Sequence, residues 1–236
     1  MHVRSQTLKL QREGDEIMNF YNQVAPNQIA DFIADDSEQI RKLEMLVKGE
    51  LTFPSDAKKS IILHGRYGTG KTVLAKLLAR MIEENREADF DAASFRDQVW
   101  FFSCGKLDQS EVIREATKAT RSLFGSGRRY FILDEVDNFR GDTQRSLKSL
   151  ITENDNIIFI MTTNHRDKVD SGLKSRSHLI SFENPSVEQW LKRCVEILQK
   201  YSVTPDERYL KDLIKRNRCD ARNILSALEE TIALAA

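Results

Sequence analysis

Eight consecutive residues, Gly65-Arg66-Tyr67-Gly68-Thr69-Gly70-Lys71-Thr72, stand between a short apolar run, Ser60 to His64, and a stretch with Val73, Leu74, Leu77, Leu78, Met81 and Ile82 at helical spacing. Strand, glycine-rich turn and helix start, in that order, are the setting in which the pattern G-x-x-x-x-G-K-[ST] cradles phosphate groups. Gly68 and Gly70 allow positive φ and close backbone approach, so successive amides can wrap an anion where the helix dipole favours negative charge. Lys71 is expected to reach the β and γ phosphates of a nucleoside triphosphate, and the Thr72 hydroxyl to hold Mg2+. The nucleotide set is therefore Gly65, Arg66, Tyr67, Gly68, Thr69, Gly70, Lys71, Thr72 and Val73.

Such a loop needs a parallel sheet behind it. The runs Ser60 to His64, Val99 to Ser103, Tyr130 to Leu133, Ile157 to Met161 and His178 to Phe182 are nearly continuously apolar, as strands buried on both faces are. Longer amphipathic stretches alternate with them, which predicts an α/β fold with a five-stranded parallel sheet flanked by helices. A further helix is expected within Asp35 to Gly49, followed by a linker from Leu51 to Asp56 that contains Pro54. After Phe182 the pattern becomes helical throughout, in Pro185 to Lys200, Pro205 to Arg216 and Asp220 to Leu234. These form a small all-helical domain whose core stripe includes Trp190, Leu191, Val195, Ile197 and Leu198. The expected boundaries are an N-terminal arm over 1–17, a nucleotide-binding core over 18–183 and a helical lid over 184–236.

Tyr130-Phe131-Ile132-Leu133 runs directly into Asp134-Glu135. Two carboxylates at the end of a buried strand, downstream of a phosphate loop, divide the labour of the Walker B arrangement. Asp134 is the metal-side carboxylate, and Glu135 the base that polarises the attacking water. Asp137 reads as a helix cap or a turn residue. The run Ile157 to Met161 leads into Thr162-Thr163-Asn164, an uncharged hydrogen-bonding tip, and Asn164 is expected to orient a γ phosphate or the attacking water.

Composition narrows the partners. Lys plus Arg and Asp plus Glu number 36 each, so there is no global positive field and any nucleic-acid contact must use a local patch. The charges Lys106, Arg114, Lys118 and Arg121, with Arg145 and Lys148 further on, form such a tract, although solvated helix faces carry similar charges. Cys104, Cys194 and Cys219 are too few and too scattered for a zinc site or a disulfide framework, and read as core thiols. Neither a membrane-length apolar run nor the apolar stretch of a secretory signal occurs, so a cytoplasmic setting, or the DNA-replicating compartment of a host cell, is expected.

With GRYGTGKT, FILDEVDNF, TTN followed by SGLKSRSHLISF, and CDARNILSALEE in view, the chain resembles the AAA+ superfamily, and specifically the small ATPase subunits of sliding-clamp loaders, the phage replication type included. The likeness runs from about Asn19 to Glu230. It implies ATP and Mg2+ as ligands and an active site shared between neighbouring subunits. Arg176, in Ser175-Arg176-Ser177, matches the arginine that completes the adjacent subunit's site. Arg222, in Asp220-Ala221-Arg222, matches an arginine that folds the helical lid onto nucleotide. Gln144 matches a glutamine that links DNA contact to the catalytic strand. The sequence departs from the family at Arg66 and Tyr67, where small residues or proline are common, at Ser177 in place of cysteine, and at Cys219 in place of glycine. Such subunits continue past the lid into a helical collar, to which nothing in this sequence corresponds.

The resemblance implies an ATPase of DNA replication that works in an oligomer, homo- or heteromeric, on DNA and with a sliding clamp or another replication protein. Alternatives within the same chemistry are a helicase loader or initiator, a DNA-bound ATPase filament, and an adaptor that acts on a protein partner without DNA.

Overall fold

The computed structural model describes residues 20–33, 37–105, 108–121, 127–183, 185–204 and 206–235, so the expected arm over 1–17 lies outside the described residues. In chain order the elements are α1 (Phe20–Val24), α2 (Ser37–Val47), β1 (Ser60–Gly65), α3 (Lys71–Glu84), α4 (Ala92–Phe95), β2 (Val99–Ser103), α5 (Gln109–Arg121), β3 (Arg129–Asp134), α6 (Gly141–Glu153), β4 (Ile157–Thr163), α7 (Ser171–Ser175), β5 (Ser177–Phe182), α8 (Val187–Lys200), α9 (Glu207–Arg216) and α10 (Ala221–Ala235).

The strands form one five-stranded sheet in the order β2-β3-β4-β1-β5, with every pairing parallel, as the apolar runs predict. Period-two alternation divides each strand between two cores. Ile61, Leu63, Tyr130, Ile132, Ile158 and Ile160 pack with α2 and α3 on one face. Ile62, Phe131, Leu133, Phe159 and Met161 pack with α5, α6 and α7 on the other. In the centre of the sheet every residue of β4 is buried, which explains why the segment is apolar from Ile157 to Met161 and why its two threonines are hydrogen-bonded. Cys104 and Cys194 are buried and Cys219 is half-buried, in keeping with their reading as core thiols.

The edge strand β5 is covered by α2. Gln39 Oε1 accepts the Ser181 amide at 3.2 Å, and Lys42 Nζ donates to the Leu179 carbonyl at 3.2 Å. Backbone groups that could template pairing with another chain are thereby occupied.

A third core belongs to α8, α9 and α10, where Trp190, Cys194, Ile197, Leu210, Ile214 and Leu228 meet. Each of these helices has a polar start. Ser186 and Gln189 form a reciprocal capping box on α8, Asp206 accepts the Arg208 and Tyr209 amides, and Asp220 accepts those of Arg222 and Asn223. Phe20, Val24 and Ile33, far away in sequence, also pack into this helical core. The segment over 20–33 therefore bridges the helical region and the sheet domain. None of the described helices is long and apolar enough to cross a membrane.

Ile160→Ala, at the centre of β4, is expected to lower stability by about 2–5 kcal/mol because the sheet cannot collapse around the cavity. A urea-unfolding midpoint unchanged by this substitution would contradict the two-sided burial of the strand.

Candidate active site

Parallel register brings the C-terminal strand ends together. His64 lies opposite Thr163, and Leu133 opposite Met161, so the loop after β1 and the tips of β3 and β4 share one edge of the sheet. Open parallel sheets characteristically bind ligands at that edge. A cavity of about 310 Å3 opens there.

At its floor the loop over 65–70 turns into α3. Gly70 is the N-cap of that helix at φ 83° and supplies no side-chain cap, so the first-turn amides are left for an incoming anion. Gly68, at φ 70°, is required for space as well as for conformation. A Cβ on it would lie 2.0 Å from Asp220 Oδ2, and its carbonyl accepts the Ala221 amide at 2.9 Å. The start of α10 therefore sits directly on the phosphate loop.

Lys71 is 6% exposed and its ammonium lies within the loop. It donates to the Gly65 carbonyl at 2.9 Å, to the Arg66 carbonyl and to Thr69 Oγ1 at 3.3 Å. Burial lowers its pKa to about 8; Asp134 opposes that shift and Arg222 adds to it. The carbonyls that now hold the ammonium are weaker partners than a phosphate would be.

Thr72 Oγ1 donates to Asp134 Oδ1 at 2.6 Å, and Thr162 Oγ1 donates to the same oxygen at 2.7 Å. Mg2+ takes oxygen ligands and keeps several waters, so one hydroxyl and one carboxylate beside a phosphate cradle are a fitting protein share. No group of three or more His, Cys, Asp or Glu that could hold a metal occurs among the described residues.

Glu135 is exposed and takes a left-handed conformation, φ 60° and ψ 53°, that non-glycine residues rarely adopt. Its amide donates to Thr162 Oγ1 at 3.0 Å, and its Oε2 accepts from Asn138 Nδ2 at 3.2 Å. Such strain costs about 1–3 kcal/mol and persists where the surroundings over-determine it. At the next strand tip Thr163 Oγ1 donates to Asp137 Oδ1 at 2.7 Å and accepts the His165 amide at 2.9 Å, and Asn164 lines the cavity. Asp137, read from sequence as a cap or a turn residue, thus fastens the tip of β4.

Arg222 lines the cavity from the first turn of α10. Of the remaining loop positions, Arg66 offers its carbonyl to Lys71 and Thr69, while Tyr67, 61% exposed, meets His165 Nε2 through its hydroxyl at 3.3 Å. Val73 is exposed on the first turn of α3 and lines the cavity.

Sequence reasoning missed the far wall of the cavity. Val24, Ala25, Pro26, Phe32 and Ile33 line it, with Leu225 opposite. Arg193 Nη2 donates to the Val24 carbonyl at 3.1 Å and pins the segment to α8. An apolar slot beside a phosphate cradle suits a flat base. Its only signal in the sequence is Val24-Ala25-Pro26, too short to carry a periodicity.

Arg176 does not join this group. It precedes β5 at the opposite edge of the sheet, roughly 20 Å from the loop at about 3.3 Å per strand residue. Its Nε donates to Thr152 Oγ1 at 2.8 Å.

Of the residues proposed for DNA, Lys106 and the side chain of Arg121 lie outside the described residues. Arg114 pairs with Glu111 at 3.8 Å and Glu115 at 3.7 Å, and Lys118 with Glu115 at 2.7 Å, so α5 largely neutralises its own cations. Arg145 is exposed on α6, whereas the stem of Lys148 lies against Gly172 of α7. Gln144 is not a surface group. It is 3% exposed, donates to the Phe139 and Lys168 carbonyls at 3.0 and 3.2 Å, and accepts the Asp170 amide at 2.7 Å. It joins the loop after β3 to the loop after β4.

A lysine that must be charged to hold an anion, with a free-state pKa near 8, gives ATP binding a pH dependence. The dissociation constant is expected to rise above pH 8, by up to about tenfold per unit, because binding must then take up a proton. Titration calorimetry between pH 7 and pH 9.5 checks this, and Lys71→Met should bind weakly with no such slope.

Comparison with known proteins bears on the family and the fold. The profile of the family described as "ATPase family associated with various cellular activities (AAA)" matches residues 61–183, just over half of the chain. The replication factor C large subunit of Pyrococcus abyssi is 24% identical over 209 residues, covering 88% of this chain and 41% of that protein. Replication factor C subunit 5 of Homo sapiens is 26% identical over 180 residues, covering 75% of this chain and 51% of that protein. The chain thus spans about half, or less, of these relatives. Among solved structures, the Thermotoga maritima RuvB Holliday junction branch migration motor aligns with a TM-score of 0.67 at 16% identity, over 89% of this chain and 65% of that one. That likeness speaks to the fold alone. Its phosphate loop, its paired carboxylates and the match over residues 61–183 make the chain a member of the AAA family of ATPases.

Proposed function

We propose that this chain is a clamp-loader-like ATPase of DNA replication, in which ATP binding and hydrolysis at subunit interfaces drive protein assembly on DNA. One observation carries the reading. The phosphate loop, Thr72, Asp134, Glu135, Asn164 and Arg222 gather at the C-terminal ends of the strands, whereas Arg176 stands at the other end of β5, beyond reach of its own phosphate loop. A chain built this way lends Arg176 to the site of one neighbour and receives the same arginine from another. The similarity to replication factor C proteins, whose names describe them as subunits, supports the same reading.

In the proposed mechanism the amides of the loop and the ammonium of Lys71 hold the β and γ phosphates of ATP. Mg2+, bound by Thr72 and Asp134 together with phosphate oxygens, would neutralise charge on the phosphates. Glu135 takes a proton from the attacking water at its carboxylate, and Asn164 orients that water. Arg222 is carried on α10, whose start already bonds to Gly68, so contact with phosphate couples the site to the position of the helical lid. Val24, Pro26 and Phe32 take the base. Gln144 connects the loops that follow β3 and β4, which gives contacts on α6 a route to Glu135 and Asn164. The lid is assigned to 184–236 and the nucleotide core to 18–183.

A second reading, an adaptor that acts on a protein partner without DNA, draws on the internal pairing of Arg114 and Lys118, which leaves α5 a poor surface for phosphate. ATPase rates against protein concentration, with and without primed DNA at two salt concentrations, separate the two. The clamp-loader-like reading expects specific activity to rise with concentration and DNA to stimulate it in a salt-sensitive way. It also expects Arg176→Ala to lower the turnover of the assembly by about 10³-fold or more. Arg145→Ala should reduce DNA stimulation more than Arg114→Ala does. Turnover indifferent to DNA would favour the adaptor.

A further inference from the structure

The three residues that lead into β1, Lys58-Lys59-Ser60, grip the backbone on either side of Arg176. Lys58 Nζ donates to the Ser175 carbonyl at 2.7 Å and to the Ser177 carbonyl at 3.0 Å. The Lys59 amide donates to the Arg176 carbonyl at 3.1 Å. The buried Ser60 hydroxyl is shared between that carbonyl at 3.0 Å and Ser177 Oγ at 2.7 Å, while Ser177 Oγ donates to the Leu173 carbonyl at 2.7 Å. Lys59 Nζ reaches the Thr152 carbonyl at 3.1 Å and Asp155 Oδ1 at 2.5 Å, beside the threonine that holds the Arg176 side chain.

A lysine near a helix end commonly caps terminal carbonyls, and Lys58 does so for α7. Capping alone does not call for the rest of the clasp. All three carbonyls of Ser175-Arg176-Ser177 are engaged by one short segment, and the side chain that emerges from this fixed backbone is a long, half-buried cation that bonds to Thr152 Oγ1, the Gly172 carbonyl and Ser175 Oγ. A group that must reach into another subunit has to arrive within about 1 Å of its productive position, since misplacement on that scale can lower a rate about a hundredfold. An arginine has too many rotatable bonds to be aimed by its side chain alone, so the aim must begin at the backbone.

We propose that Lys58 is a positioning residue for Arg176, holding the Ser175 and Ser177 carbonyls so that the guanidinium is presented to the neighbouring subunit at a fixed height and direction. The proposal rests on the reading of Arg176 as the residue that completes a neighbouring subunit's site in trans. The clasp lies at the start of β1 and the phosphate loop at its end, so the strand joins the site a subunit owns to the arginine it lends. Lys58 touches no reacting atom and acts only through the backbone beside Arg176.

The test compares Lys58→Met, Arg176→Ala and the double variant in the full chain with primed DNA present. Lys58→Met is expected to lower kcat about 10- to 100-fold with the KM for ATP unchanged, and to have no further effect on Arg176→Ala. Lys58→Arg, which keeps charge and donors, should restore most of the loss. Independently of turnover, amide hydrogen exchange across residues 173–178 should quicken in Lys58→Met and return towards wild type in Lys58→Arg. If Lys58→Met does not fold, Lys58→Gln is read in the same way. Unchanged exchange and unchanged kcat in the Lys58 variant, beside a large loss in Arg176→Ala, would overturn the positioning role while leaving the trans arginine standing. An Arg176→Ala protein that turns over like wild type would remove the reading beneath it, and the proposal with it.

Discussion

One carboxylate oxygen, Asp134 Oδ1, accepts hydrogen bonds from Thr72 at 2.6 Å and from Thr162 at 2.7 Å. Those three residues belong to the start of α3, the end of β3 and the end of β4, so the oxygen fixes the spacing of the elements that line the cavity floor. Two charge-assisted bonds to one acceptor are stronger and more directional than their neutral counterparts. The rest of the site is arranged from that point. The Glu135 amide bonds to the same Thr162 hydroxyl, Asp137 holds Thr163, and Thr163 in turn holds the backbone of His165.

This order is obtained against local preference. Lys71 is a buried cation, and because its pKa is lowered the unfolded chain binds more protons than the folded one between about pH 8 and its ordinary value of 10.5. Stability attributable to this residue therefore rises with pH across that window, and at neutral pH its charge weighs against the empty fold. Glu135 adds a left-handed backbone. An anion in the cradle would answer the Lys71 charge, and a costly backbone at Glu135 is the kind of departure found where a site is organised for a ligand instead of for its own stability.

The two sheet edges divide the work. At the C-terminal edge, Gly68 and Ala221 tie the phosphate loop to the lid helix, so anything that moves the loop is felt by the helical core. At the other edge the backbone around Arg176 is held by the residues that open β1. Gln144, buried between the loops that follow β3 and β4, is the lateral connection. A rigid, doubly buried sheet is what lets hydrogen bonds at its margins act on one another.

Much of this was legible in the sequence. Five apolar runs gave the strands, because a strand buried on both faces must be apolar throughout. The motif over Gly65 to Thr72 gave the cradle, because only glycine tolerates those turns and only a cation and a hydroxyl serve phosphate and metal there. Asp134 and Glu135 were readable from their place at the end of such a strand. What tertiary structure decided is the company each residue keeps. The apolar cavity wall from Val24 to Ile33 comes from a segment too short for periodicity, and it becomes a wall only when Arg193 and the helical core draw it across the sheet. Lys58 reads as one surface lysine among many until parallel pairing lays the start of β1 against the start of β5 and brings the carbonyls beside Arg176 within its reach. Sequence determines what each element is, because periodicity and residue chemistry are local; pairing across the sheet is not, so only the folded chain determines which functional groups meet.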